Sequence, residues 1–302
     1  MYTTKLNDFT HLIDLKTAGY ENFIAAYVLK EDKVAVVETG PTSSIPNLLA
    51  GLQEIGIQNE AINYVMVSHI HIDHAGGAGT LLQNLPNAKL LLHKRGVPHM
   101  VNPEKLWIHS REALREIVDL YGPIQSVPEN RVIISEDGMV VDLGEHVKLQ
   151  VIETLGHASH HQSFYEKNNK TLFLGDAGGI YLKKLDVVIP TTPPPLHLKA
   201  KLDSIEKLIK LKPKWLCYTH FDHANNAISR LQAYVEQLKL WANIVSEATK
   251  IGDDSEAIYA KIMEQDPAMK KAEEFIKGHW MVRQSMVLQS IQGFIQYFKK
   301  NL

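Results

Sequence analysis

Within six residues the chain places four side chains of the kind that bind metal ions: His69-Ile-His71-Ile-Asp73-His74. The run follows residues 64–68, an apolar stretch that reads as a buried strand, and precedes a Gly76-Gly77 turn. In an extended segment residues i and i+2 point the same way, so His69 and His71 can grip one ion together. Where the chain curls, Asp73 and His74 turn toward a neighbouring position. Four ligands in so short a run can start two adjacent metal sites and complete neither. The fold must bring the rest from elsewhere.

Three distant residues fit that need, each just beyond an expected strand. His157 closes Thr154-Leu-Gly-His after residues 149–155, Asp176 follows residues 171–174, and His220 follows residues 215–218. Loops at one edge of a sheet can converge on one point while the strands hold them rigid. Imidazole plus carboxylate, without thiolate, suits zinc, with iron or manganese as alternatives. Three imidazoles on one ion leave an open position for water, as in a catalytic site. A carboxylate such as Asp176 can bridge a second ion.

The rest of the 302 residues sets the architecture. Residues 22–29 and 34–37 read as strands around a charged turn, and Ser43 or Ser44 as the cap of a helix carrying Leu48, Leu49 and Leu52. Strand, helix and strand then repeat through residues 64–93 as a βαβ unit. Residues 94–128 look inserted, with a helix over 110–120. Strands return over 131–174, a Thr191-Thr-Pro-Pro-Pro195 link leads to a helix near 202–211, and residues 214–218 read as the last strand. Beyond His223 apolar residues recur at helical steps, with a break at residues 252–255 and at Pro267. The pattern is mixed α/β followed by an all-helical tail.

This set of residues resembles the metallo-β-lactamase superfamily of metallo-hydrolases. Its first motif is matched by His69 to His74, and its next His, Asp and His by His157, Asp176 and His220 in order, over residues 20–223. The resemblance implies an α/β fold, a four-layer αβ/βα sandwich, with two divalent metal ions at one edge of the sheets. Residues 1–223 would form the catalytic domain and residues 224–302 an all-helical C-terminal extension over the active-site side. It also implies a ligand set: His69, His71 and His157 on one ion, Asp73, His74 and His220 on the other, and Asp176 between them. Asp73 is the candidate for orienting the nucleophile or accepting a proton. The family usually carries Asp-x-Gly after an early strand, whereas this chain has Glu38-Thr39-Gly40. We expect Glu38 to act from behind a ligand rather than on an ion.

The implied chemistry is hydrolysis by a hydroxide held in a dinuclear zinc-type centre, at a small ester, thioester or lactone. The helical extension is similar to that of the glyoxalase II and lactonase branches. Rival readings are a phosphodiesterase of the same fold, a mononuclear-iron sulfur dioxygenase and a non-catalytic metal-binding protein. Retention of both His74 and His220 favours two ions. His160, His161, Tyr181, Trp107 and His109 are candidates for lining the pocket, and His279-Trp280 either reach over the site or pack the tail.

Composition narrows the partners. Lys and Arg number 32 against 34 Asp and Glu, a net charge of −2, so no general field attracts a phosphate backbone and nucleic acid is not expected. The first ten residues lack the apolar stretch of a signal peptide and no eighteen-residue apolar run occurs, so a cytoplasmic protein without a membrane span is expected. One cysteine, Cys217, cannot close an intrachain disulfide. A small-molecule substrate is expected, and a homodimer is the default for the apolar stripe ending at Phe294, Ile295 and Phe298.

Overall fold

The structure is a computed structural model and describes residues 1–301. Seven strands pair in chain order into one sheet: β1 (Thr3–Lys5), β2 (Thr10–Asp14), β3 (Ala25–Lys30), β4 (Val34–Val37), β5 (Ile62–Met66), β6 (Lys89–His93) and β7 (Val132–Ser135). The first four form an antiparallel meander, and β4 to β7 run parallel. Parallel neighbours need crossovers. Helix α1 (Ile45–Glu54) supplies the first, and α2 (Ile72–Ala75) with α3 (Ala78–Asn84) the second. The third carries α4 (Val97–Val101), α5 (Glu104–Leu114) and α6 (Ile117–Tyr121).

The second sheet holds β8 (Val140–Asp142), β9 (Lys148–Glu153), β10 (Gln162–Glu166) and β11 (Thr171–Phe173). A separate hairpin, β12 (Ile180–Leu182) and β13 (Val187–Ile189), interrupts it before α7 (Leu198–Lys210) returns the chain to β14 (Trp215–Tyr218) and β15 (Asp222–Ala224). The spatial order is β15-β14-β11-β10-β9-β8. After β15 the chain is helical: α8 (Ala227–Lys250), α9 (Ser255–Gln265), α10 (Pro267–Lys271), α11 (Glu273–Gly278), a π-helical stretch Val282–Leu288 and α12 (Gln289–Asn301). None of the described helices is long and apolar enough to cross a membrane.

Period-two alternation explains the layering. Ala25, Tyr27 and Leu29 point to one side of β3 and pack with Val37, Met66, Leu91, Val151, Phe164 and Phe173 between the two sheets. Ile24, Ala26 and Val28 point to the other side, where they join the larger core beneath the helices. Two sheets face to face with helices outside give the expected four-layer sandwich. Cys217 is buried in the core between the sheets.

Several local expectations need correction. Helix 110–120 is instead two helices, α5 and α6, because Arg115 breaks the turn at φ 53°, ψ −122°. No serine side chain caps α1; the Ser44 hydroxyl bonds Thr17 Oγ1 at 2.7 Å instead. The strand at 215–218 is not the last, since β15 turns back on it. The polar N-terminus supplies the edge strand β1, which its composition did not announce, because an edge strand need not be apolar on both faces.

Candidate metal centre

The strand directions bring the candidate ligands to one place. Strands β4 and β5 are parallel, so residues 38–40 and 67–74 leave the first sheet at the same edge. In the second sheet β9, β11 and β14 share one direction, so His157, Asp176 and His220 leave it together. The two edges are tied by backbone bonds from Ala25 N–H to Thr219 O and from Gln162 N–H to Ser68 O, both 2.8 Å. His71 stands at the N-cap of α2, and the first turns of that helix aim Asp73 and His74 inward.

All seven predicted side chains meet. His69 Nε2 and His157 Nε2 lie 2.9 and 3.1 Å from His71 Nδ1. Beside them His220 Nε2 lies 3.2 Å from His74 Nε2 and 3.4 Å from Asp73 Oδ2. Asp176 spans the two groups: Oδ2 is 3.3 Å from His157 Nε2, and Oδ1 is 3.3 Å from His74 Nε2 and 3.6 Å from His220 Nε2. Three triads have their ligand atoms within 4.8 Å of one another: His69, His71 and His157; His69, His74 and Asp176; Asp73, His74 and His220.

The outer hydrogen bonds decide where the lone pairs point. His157 Nδ1–H donates to Thr191 O at 3.1 Å and His220 Nδ1–H to Phe23 O at 3.4 Å, so both Nε2 atoms face the centre without a proton. Glu38, held at φ 69°, accepts the Ser68 N–H and sets its second oxygen 3.5 Å from His74 Nδ1. As expected, it stands behind a ligand rather than in the cluster.

Burial presses the imidazoles of His69, His71 and His157 below their ordinary range. Burial raises the Asp176 carboxyl, but the imidazoles of His74, His157 and His220 outweigh it and hold it well below normal. His74 goes the other way: burial lowers it, and the carboxylates of Asp176, Asp73 and Glu38 raise it further. Asp176 Oδ1 and Glu38 Oε2 are buried without any hydrogen-bond partner. Converging lone pairs and unpartnered carboxylate oxygens are costly unless a cation sits among them. The residues fit divalent metal ions.

Sequence reasoning also missed residues here. Lys201 is buried, and its Nζ donates to Asp176 O at 2.9 Å and Thr191 O at 3.1 Å, bracing both from behind; burial lowers it to about 7. The available signal was a lysine in the buried helical series Leu198, Ser204, Ile205, Leu208. His161 does not face the cavity. It accepts the Asp176 N–H on Nε2 at 3.0 Å and bonds Thr154 Oγ1 through Nδ1 at 2.8 Å. Tyr181 packs on Tyr218 and bonds Asp186, and Trp107 carries Arg111 over its ring; neither lines the cavity at the cluster. His109 and His160 do line it. His279 stacks on Tyr20 at 4.0 Å and against Phe23, packing the tail, while Trp280 lines the neighbouring groove.

The sequence pattern of the metallo-beta-lactamase superfamily matches residues 19–220. The chain belongs to that superfamily. A metallo-beta-lactamase fold-containing protein of Sulfurisphaera tokodaii, ST1585, is 30% identical over 215 residues, which is 70% of this chain and 77% of that one. The crystal structure of ST1585 superposes with a TM-score of 0.71 at 24% identity, covering 94% of this chain and 98% of that one. The metallo-beta-lactamase family protein TTHA1429 of Thermus thermophilus gives 0.67 at 18%, covering 92% and 89%. Hydroxyacylglutathione hydrolase of Enterobacter sp. is 27% identical over 53% of this chain and 48% of its own length. Metallo-β-lactamase superfamily proteins bind metal ions, and the His/Asp triads occupy the edge where the motif residues converge.

Proposed function

We propose that the chain is a dinuclear metallo-hydrolase acting on a small ester, thioester or lactone. The observation that carries this reading is the pair of triads joined by one carboxylate: His69, His71 and His157 would hold one ion and Asp73, His74 and His220 the other, with Asp176 lying between the two groups. Zinc suits these donors, with iron or manganese as alternatives. When bound, the ions supply Lewis acidity, making water a nucleophile at neutral pH and polarising the carbonyl under attack.

The chain's own residues do the remaining work. Thr191 O and Phe23 O hold His157 and His220 in the tautomer that leaves Nε2 free. Burial raises the Asp73 carboxyl, but His74 and His220 outweigh it, so it remains ionised at neutral pH. It is the most exposed carboxylate of the cluster and lines the cavity, so it can accept a proton from the attacking water and deliver it to the leaving group. The partial likeness to hydroxyacylglutathione hydrolases supports acyl transfer to water over phosphoryl transfer.

Metal content per chain, measured on protein purified without chelator, tests this reading. Two divalent ions are expected, with about one lost in His157→Ala and kcat/KM for an activated ester reduced at least about 100-fold. A single iron would favour dioxygenase chemistry instead. No metal after reconstitution would overturn the proposal.

A further inference from the structure

The metal centre opens into a cavity of about 350 Å³ whose walls are not made by the sandwich alone. Helix α5 lines it through Leu106, Ala113 and Leu114, the tail through Met286 of the π-helical stretch, and the link before α7 through Pro193 and Pro194. No lysine or arginine lines this space. Apart from the clustered ligands, its ionisable lining is three imidazoles, His99, His109 and His160, and the Tyr121 phenol. His160 Nδ1 accepts the Ile70 N–H at 3.5 Å.

Helix α5 packs on the core through Leu106, Trp107 and Leu114 and leaves part of that face on the cavity. None of its residues is buried; Leu106 and Leu114 are half-buried and Ala113 is exposed. Half-buried leucines that still line a cavity gain from whatever apolar surface enters beside them. An anionic group lying along these walls would be stripped of water and meet no lysine or arginine there. The adjoining groove, by contrast, carries Glu112, Arg115 and Glu116.

We infer that this cavity is a subsite for an uncharged, apolar acyl chain, whose carbonyl end lies at the His/Asp cluster and whose body lies between α5 and Met286. The inference rests on the hydrolase reading for its chemistry and narrows its substrates. It excludes acyl groups that carry a carboxylate.

The test uses metal-loaded protein and 4-nitrophenyl esters from acetate to octanoate, with carboxylate-terminated esters of equal length alongside. We expect kcat/KM to rise about fourfold per methylene until the cavity is filled. The carboxylate-terminated partners should be at least about tenfold poorer. Equal turnover of those partners overturns the subsite and leaves the hydrolase reading standing. Calorimetric binding of alkyl hydroxamates of the same lengths reads the wall without turnover. The same gain per methylene there, with no ester hydrolysed, would sink the hydrolase reading alone; affinity independent of chain length would sink the subsite. Ser110→Arg, on a helix with no buried residue, adds a cation to the wall and should shift the preference toward the carboxylate-terminated ester by about tenfold. An unchanged preference would count against the subsite.

Discussion

Single residues behind the cluster hold it in shape, and their removal separates positioning from ligation. Gly156 sits at φ +128°, and an added Cβ would lie 2.3–2.5 Å from Lys201 backbone and Cβ atoms. Gly156→Ala must therefore shift α7 or His157, and we expect a loss of about 1–3 kcal/mol in denaturant unfolding together with weaker metal retention. His161 acts one bond further out, through the Asp176 N–H and Thr154. His161→Ala leaves all seven proposed ligands in place, so metal should still bind, about 10–100-fold more weakly by chelator competition. Unchanged affinity would show that Asp176 is oriented by Lys201 and Thr191 without it. The six-residue motif and its distant partners were legible at this scale because ligand chemistry restricts residue type. The braces were not: a lysine or a second histidine has no distinctive spacing when its partner is a backbone carbonyl or amide.

At the scale of elements, the tail is fastened to the loop that serves the metal centre. The Thr192 N–H donates to Ser290 Oγ at 2.8 Å, Ser290 Oγ donates to Pro190 O, and Gly293 of α12 leaves room for Thr192 O. Thr191, the next residue, holds His157 and Lys201. Ser290→Ala strands a buried N–H and should cost about 1–3 kcal/mol, with part of the loss visible as weaker metal binding. The other fastening is titratable. Burial lowers His279, whose ring lies on Tyr20 and Phe23 and whose Nε2 is buried without a partner. The unfolded chain takes up that proton near pH 6.5 and the folded chain only below it, so stability falls as pH drops through this window. Melting curves of wild type and His279→Phe should therefore diverge between pH 7 and 5, the wild type losing roughly 2–4 °C more. Parallel curves would mean that His279 titrates normally.

For the whole molecule, the helical tail is part of one core rather than an appendage. Leu231, Leu238, Trp241, Ile262 and Phe294 are buried in the same cluster as Ile189, Leu196, Ile205 and Leu208 of the sandwich side. A chain ending at Asn225 would expose that surface, and we expect it to lose near-ultraviolet circular dichroism and bind a hydrophobic dye. A cooperative melt of the shortened chain would contradict this. The sequence alone determined the cluster, because His69 to His74 and the strand-end His157, Asp176 and His220 follow from ligand chemistry and period-two patterning. It also determined the alternation of strands and helices, which depends on local periodicity. It did not reveal that Arg115 would split the inserted helix, that Tyr181 and Trp107 would turn away, or that α5 and Met286 would wall the cavity. Those outcomes depend on which surfaces meet across long separations in the chain, and only the packed tertiary structure decides that.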